Sequence, residues 1–156
     1  MQRKTNRQGQ AKLGDKNDKI AGYRLGDQIG HLLRKASQRH SVIFADGMLP
    51  GLTPTRFAAM VVLFQKSQVS QNQLGRDTAM DAATIKGVVD RLKARGLVKV
   101  EPDPGDARRN LVSLTEQGSA LIGQAIPLGC DITNKTLSPL NNKEQTRLLE
   151  LLNKII

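Results

Sequence analysis

Apolar residues recur at helical spacing along most of the chain, and the interruptions between them mark its elements. From Ile20 to about Ala45, Leu25, Ile29, Leu32, Leu33, Ala36 and Ile43 form one stripe, with Arg24, Gln28, Arg34, Lys35 and Arg39 on other faces. This predicts a helix of about 25 residues, near 38 Å long at roughly 1.5 Å per residue. So long a helix in a chain of 156 residues is expected to reach outside its own globule and meet a partner. Gly47, Pro50 and Gly51 then break the pattern. Thr53 suits an N-cap and Pro54 a first helical position, followed by a core stripe at Phe57, Met60, Val61 and Phe64.

The next stretch, Ser70 to Thr115, changes period several times. Ser70-Gln71-Asn72-Gln73 has the form of a capping box, so a short helix is expected to begin there and bury Leu74. Thr78 to Met80 reads as a turn, after which Asp81 caps a helix with Ile85, Val88, Val89 and Leu92 inward. Gly96 stands where a left-handed cap ends a helix. Leu97 to Glu101 and Leu111 to Leu114 are short and rich in Val and Leu, which predicts two strands joined by a tip over Pro102 to Asn110. Helix, turn, helix, strand, tip, strand is the order of a winged helix-turn-helix with a two-stranded wing, in a mainly α (α+β) chain.

Beyond Thr115 a long helical region runs toward Thr136 through Leu121, Ile122, Ala125, Leu128 and Ile132, with a kink or break expected at Pro127. Leu137-Ser138-Pro139 is a joint, and Asn141 with Glu144 makes a second capping-box pattern. Leu148, Leu151, Leu152, Ile155 and Ile156 give the last helix an apolar face, for which a partner subunit is the obvious cover.

Charge adds a preference for a polyanionic partner. The formal net charge is +10, with a pI near 10.2. Its distribution is uneven, since Met1 to Lys19 holds six Lys/Arg against two Asp, net +4. Ser70 to Thr115 holds eight Lys/Arg against six acids, net +2. Pattern, more than charge, therefore singles out the second stretch. Residues 1–18 have little to bury and are expected to form a disordered basic tail, either solvated or touching phosphates. A single cysteine, Cys130, permits no intrachain disulfide, and no apolar run is long enough for a membrane span. No secretory signal is evident, so a cytoplasmic protein with no membrane association is expected.

The run VVDRLKARGLVKV, followed by PGDARRNLVSLTEQG, resembles the MarR family of bacterial transcription regulators. The match covers roughly Leu25 to Ile156 and is strongest from Leu74 to Gly118. It implies a homodimer with interleaved terminal helices and two winged-helix lobes. Residues 1–18 would then be the tail, 19–51 the N-terminal dimerisation helix, 52–116 the DNA-binding domain, and 117–156 the C-terminal dimerisation helices.

Partner and site residues follow from that division. Double-stranded operator DNA is the expected partner, read in the major groove by the helix beginning at Asp81. Ala82, Ala83, Thr84, Lys86 and Gly87 are placed to meet bases or the nearby backbone. Ser70, Gln71 and Asn72 stand at a helix N-terminus, where phosphate binding and simple capping are about equally expected. Asp106 and Arg108 match the family's Asp-x-Arg wing motif, which implies Arg108 in the minor groove and Asp106 holding either its guanidinium or the loop. Arg109 is a phosphate candidate, and Ala107 stands where the family commonly has a basic residue.

The family resemblance also implies a pocket for an aromatic or phenolic effector, either an aromatic acid or an aromatic acyl-CoA. His31, Arg34 and Arg39 are candidates for its anion, with Phe44, Phe57, Met60 and Phe64 for its apolar body, although core packing explains the last four equally well. His31 and His40 have no companion ligands in sequence, so no metal and no cofactor is expected. Cys130 reads as a buried, inert thiol. Nothing forms a catalytic constellation. The rival to a DNA-binding regulator is a winged-helix protein-interaction module.

Overall fold

The computed structural model describes residues 22–156, so the proposed basic tail, residues 1–18, lies outside the described residues. The chain divides into two units after Gln38. In the first, the helix predicted from Ile20 begins later. Leu25–Asp27 forms one 3-10 turn, Gln28 is extended, and helix α1 runs over Ile29–Gly47, crossing the boundary between the units. The Asp27 and Gln28 amides close this turn on the carbonyls of Arg24 and Leu25, each at 3.1 Å. Gly22 and Gly26 weaken any longer helix here, because glycine costs roughly 1 kcal/mol against alanine. At about 1.5 Å per residue, α1 is near 28 Å long.

The second unit carries most of the architecture. Helix α2, Pro54–Lys66, starts where Thr53 Oγ1 accepts the Arg56 amide at 3.4 Å. Strand β1, Gln68–Ser70, leads directly into helix α3, Gln71–Asp77. Helix α4, Ala82–Ala94, strands β2, Val98–Asp103, and β3, Asp106–Leu114, complete the winged helix-turn-helix. The sheet has three strands, in the antiparallel order β1-β3-β2, where two were predicted. Three residues are too few to display a period, which is why β1 escaped sequence reading. As an edge strand, β2 tolerates Pro102 within it.

Helix α5, Glu116–Leu137, passes through Pro127 unbroken, so of the kink or break expected there the break does not occur. Pro127 removes one donor, but both it and Gly123, whose carbonyl loses that donor, are exposed and accessible to water. Helix α6, Asn142–Asn153, opens with both halves of its capping box: Asn141 Oδ1 accepts the Glu144 amide at 3.1 Å, and Glu144 accepts the Asn141 amide at 2.8 Å.

The core lies between α2, α4, α5 and the sheet. Met60 and Leu63, Leu74, Ile85, Val89 and Leu92, Val112, Ile122 and Ile132 are almost wholly removed from solvent. Burial of each is worth roughly 1.5–3 kcal/mol, and truncation of one such leucine to alanine costs about 2–5 kcal/mol. Gly118 lets α5 touch the sheet, because a Cβ there would stand 2.0 Å from the Leu97 carbonyl oxygen. Cys130 falls outside the α5 stripe of Ile122, Ala125 and Ile132, and it is exposed rather than buried.

Candidate nucleic-acid interface

The frame of the interface is set by hydrogen bonds at helix ends. Ser70 Oγ accepts the Gln73 amide at 3.2 Å, while the Gln73 side chain turns away and donates to Asp77 Oδ1 at 2.7 Å, so only half of the predicted capping box forms. Lys66 donates to the other oxygen of Asp77 at 2.7 Å, tying the end of α2 to that of α3. These two partners, Lys66 before Gln73, hold the Asp77 carboxyl below its ordinary 3.8. Ala79 adopts φ +53° in the turn, and the Met80 amide donates to the Gly75 carbonyl at 2.9 Å, setting the angle at which α4 leaves.

Asp81 caps α4 through the Thr84 amide at 2.7 Å and also accepts the Thr84 hydroxyl at 3.0 Å. Both bonds, the backbone one first, lower the pKa of Asp81. Ala82, Ala83, Thr84 and Lys86 are exposed, with Gly87 half-buried. Lys86 is paired with Asp90 at 2.6 Å. At the other end, Gly96, φ +68°, closes a Schellman cap in which its amide donates to Lys93 O and that of Leu97 to Leu92 O.

The wing is longer in its strands and tighter at its tip than predicted. Only Pro104 and Gly105 separate β2 from β3, so Arg108 and Arg109 belong to a strand. Asp106 Oδ1 accepts the Arg108 backbone amide at 3.0 Å; of the two roles suggested for it, the loop-holding one corresponds to this bond. Asp103, not singled out from sequence, accepts the Gly105 amide at 2.9 Å and lies 3.7 Å from Arg109 Nε. Arg108, Arg109 and Asn110 line a small polar concavity of about 130 Å³ together with Ser70, Gln71 and Asn72. Pairing of β1 with β3 creates it, bringing the start of α3 beside the wing. Asn110 is the addition; with Pro102 to Asn110 read as the tip between strands, no strand period marked it.

Residues 51–109 match the MarR family model. Over 135 residues the chain is 45% identical to the HTH-type transcriptional repressor NicR of Pseudomonas putida, spanning 86% of this chain and 85% of that one. It belongs to the MarR family. The fold agrees with a probable transcriptional regulator from Pseudomonas aeruginosa, at TM-score 0.83 and 50% identity over 85% of this chain and all of that one. Bordetella bronchiseptica BpsR, whose DNA binding is regulated by 6-hydroxynicotinic acid, superimposes at TM-score 0.82 with 40% identity, covering 85% of this chain and 96% of that one.

The candidate effector residues of this MarR-family chain are not gathered into one described cavity. Met60 has no accessible surface, and Phe57 packs edge-on against Phe44 with centroids 5.9 Å apart. Both lie on the core face of α2, whereas Phe64 is 49% exposed. Arg39 donates to the carbonyls of Thr136 and Lys135 at 2.5 and 3.2 Å, so its charge completes the last turn of α5. His40 Nδ1 lies 2.9 Å from Thr136 Oγ1. In the first unit, His31 is half-buried with no partner for Nδ1 among the described residues, and Arg34 is exposed. Of the seven candidates only Phe44 lines the apolar cavity between the end of α1 and the loop leading into α2. That cavity, about 510 Å³, is otherwise bounded by Ser41, Ala45, Met48 and residues 49–54. The family's transcription-regulator role accords with the expectation that this chain is no enzyme, and no helix among the described residues is long and apolar enough to cross a membrane.

Proposed function

We propose that the chain is a dimeric repressor that binds a pseudo-palindromic operator and releases it on binding an aromatic carboxylate. The observation that carries this reading is the concavity uniting Ser70, Gln71 and Asn72 with Arg108 and Arg109. It gathers groups suited to phosphate from α3 and the wing, while α4 exposes Ala82, Ala83, Thr84 and Lys86 for base contacts. Ala82, Ala83, Thr84, Lys86 and Gly87 meet the major groove, and Arg108 the minor groove. Residues 52–116 then form the DNA-binding domain.

Dimerisation belongs to residues 19–51 and 117–156. Supporting it, Leu148, Leu149, Leu151, Ile155 and Ile156 are exposed near the C-terminus, an apolar surface too greasy to leave in water. An effector enters the cavity of about 510 Å³, a volume within the range of roughly 300–1,000 Å³ typical of small-molecule sites. Its apolar lining and the regulation of BpsR by 6-hydroxynicotinic acid favour an aromatic acid. An aromatic acyl-CoA would have to extend outside it. The effector acts by preferring an arrangement of lobes that does not fit DNA.

Selection from random-sequence duplexes tests the reading. An enriched palindrome is expected; a protein-interaction module returns none. Thermal-shift titration with 6-hydroxynicotinic acid and with an aromatic CoA ester then separates the two effector classes.

A further inference from the structure

The carbonyl of Gly51 is held by two guanidinium groups. Arg95, the residue that caps the C-terminal end of α4, donates Nη1 to it at 2.6 Å, and Arg56 in the first turn of α2 donates Nη1 at 2.8 Å. Arg95 also lies against the α-carbon, because a Cβ on Gly51 would meet Nη1, Nη2 and Cζ at 3.1, 3.3 and 3.4 Å. Gly51 has φ +76°, a conformation that glycine adopts at little cost. Charge-assisted bonds of this kind are among the stronger ones, and the planar fork of arginine suits the close approach.

Gly51 is also part of the cavity. Residues 48–54 form one side of it, and Leu52 among them is buried in the core. A molecule entering there presses on a loop whose carbonyl is gripped by the C-cap residue of the proposed recognition helix. Forty-four positions separate Gly51 from Arg95 in sequence, so the tie is tertiary.

We propose that Arg95 is a coupling residue, transmitting the state of the cavity loop to the setting of α4 through the Gly51 carbonyl. The inference rests on the effector-responsive DNA-binding reading above, and it assigns that regulation to one contact. Displacement of Gly51 either breaks the bond or draws Arg95 with it, and Arg95 terminates the helix through its own amide bonds to Leu92 and Lys93. Coupling between two sites is reciprocal in free energy. DNA at α4 must therefore be felt at the loop even with no small molecule present. An arginine that merely stabilised the fold would alter melting temperature and leave that communication intact.

The test uses the full chain, Arg95→Ala and Arg95→Gln, with the selected operator. Hydrogen exchange at the amides of Leu49, Gly51, Leu52 and Thr53 is followed with and without DNA, in the absence of any small molecule. Operator binding is expected to slow exchange there severalfold in the wild-type chain, and both variants are expected to lose this change while still binding DNA. Absence of slowing in the wild type, or equal slowing in a variant, overturns the assignment. In a second arm, saturating 6-hydroxynicotinic acid is expected to weaken operator binding by about tenfold in the wild type and less than twofold in Arg95→Ala, with the acid still bound by calorimetry. A wild type that ignores the acid removes the effector reading alone, because the exchange arm still decides Arg95. A chain that selects no DNA removes both.

Discussion

Lys66 Nζ and Asp77 Oδ2 meet at 2.7 Å, joining the last turns of α2 and α3 and so fastening the helix-turn-helix to the core helix beneath it. Asp77 and the capping Asp81 both hold pKa values below 3.8, through Lys66 and Gln73 in one case and Thr84 in the other. A carboxyl with a lowered folded pKa stabilises the fold above its unfolded value, and that contribution is lost as pH falls through the folded value. Thermal midpoints are therefore expected to fall on acidification below about pH 4. Asp77→Asn and Asp81→Asn should start lower at neutral pH and show a shallower acid loss, as melts across the acid range will reveal.

Arg108→Ala is expected to weaken operator binding by roughly tenfold to a hundredfold and relax preference at the base steps nearest the wing. Arg109→Ala should instead weaken binding uniformly across sequences and reduce the salt slope by about one. Gel-shift titrations at several salt concentrations, with light scattering to confirm an unchanged oligomer, distinguish the two. Wild-type affinity in Arg108→Ala would contradict the wing assignment.

Deletion of Leu148 to Ile156 should convert the dimer to a monomer or to aggregates, because it removes the exposed leucines and isoleucines of α6 and the chain end. A well-folded dimer of the truncated chain in light scattering would place the interface elsewhere.

Gly118→Ala places a methyl group 2.0 Å from the Leu97 carbonyl oxygen, backbone that has little room to give. A loss of about 3 kcal/mol follows, or on the order of 10 °C in melting temperature. The same substitution at the exposed Gly123, whose Cβ would meet nothing within 4 Å, should leave stability unchanged or raise it slightly.

The elements best read from sequence were those announced by a local chemical device. Thr53, Ser70, Asp81 and Asn141 each cap the helix they were expected to cap, and Gly96 ends α4 as predicted. What escaped depends on distant partners. β1 exists because β3 pairs with it, Arg109 is shared with Asp103 across the wing, and Arg39 is occupied by the end of α5 nearly a hundred residues away. The concavity beside the wing was half legible, since all of its residues but Asn110 stand out separately in the sequence and only the sheet unites them. The apolar cavity was not, because Met60 and Phe57 follow the same helical period whether they face a ligand or a core.

The cap of α4 bears on what its surface has to offer. Thr84 gives its hydroxyl proton to Asp81, and Lys86 is matched to Asp90 one turn away. On the proposed reading, the helix would approach a groove with the Thr84 hydroxyl and the Lys86 ammonium already engaged. Each base it addresses must outbid an internal acceptor, so a wrong base leaves the donor where it was, without orphaning it. On that proposal mismatch would be penalised gently at these two positions, and discrimination would fall to the methyl groups of Ala82 and Ala83 and to the geometry of the duplex itself.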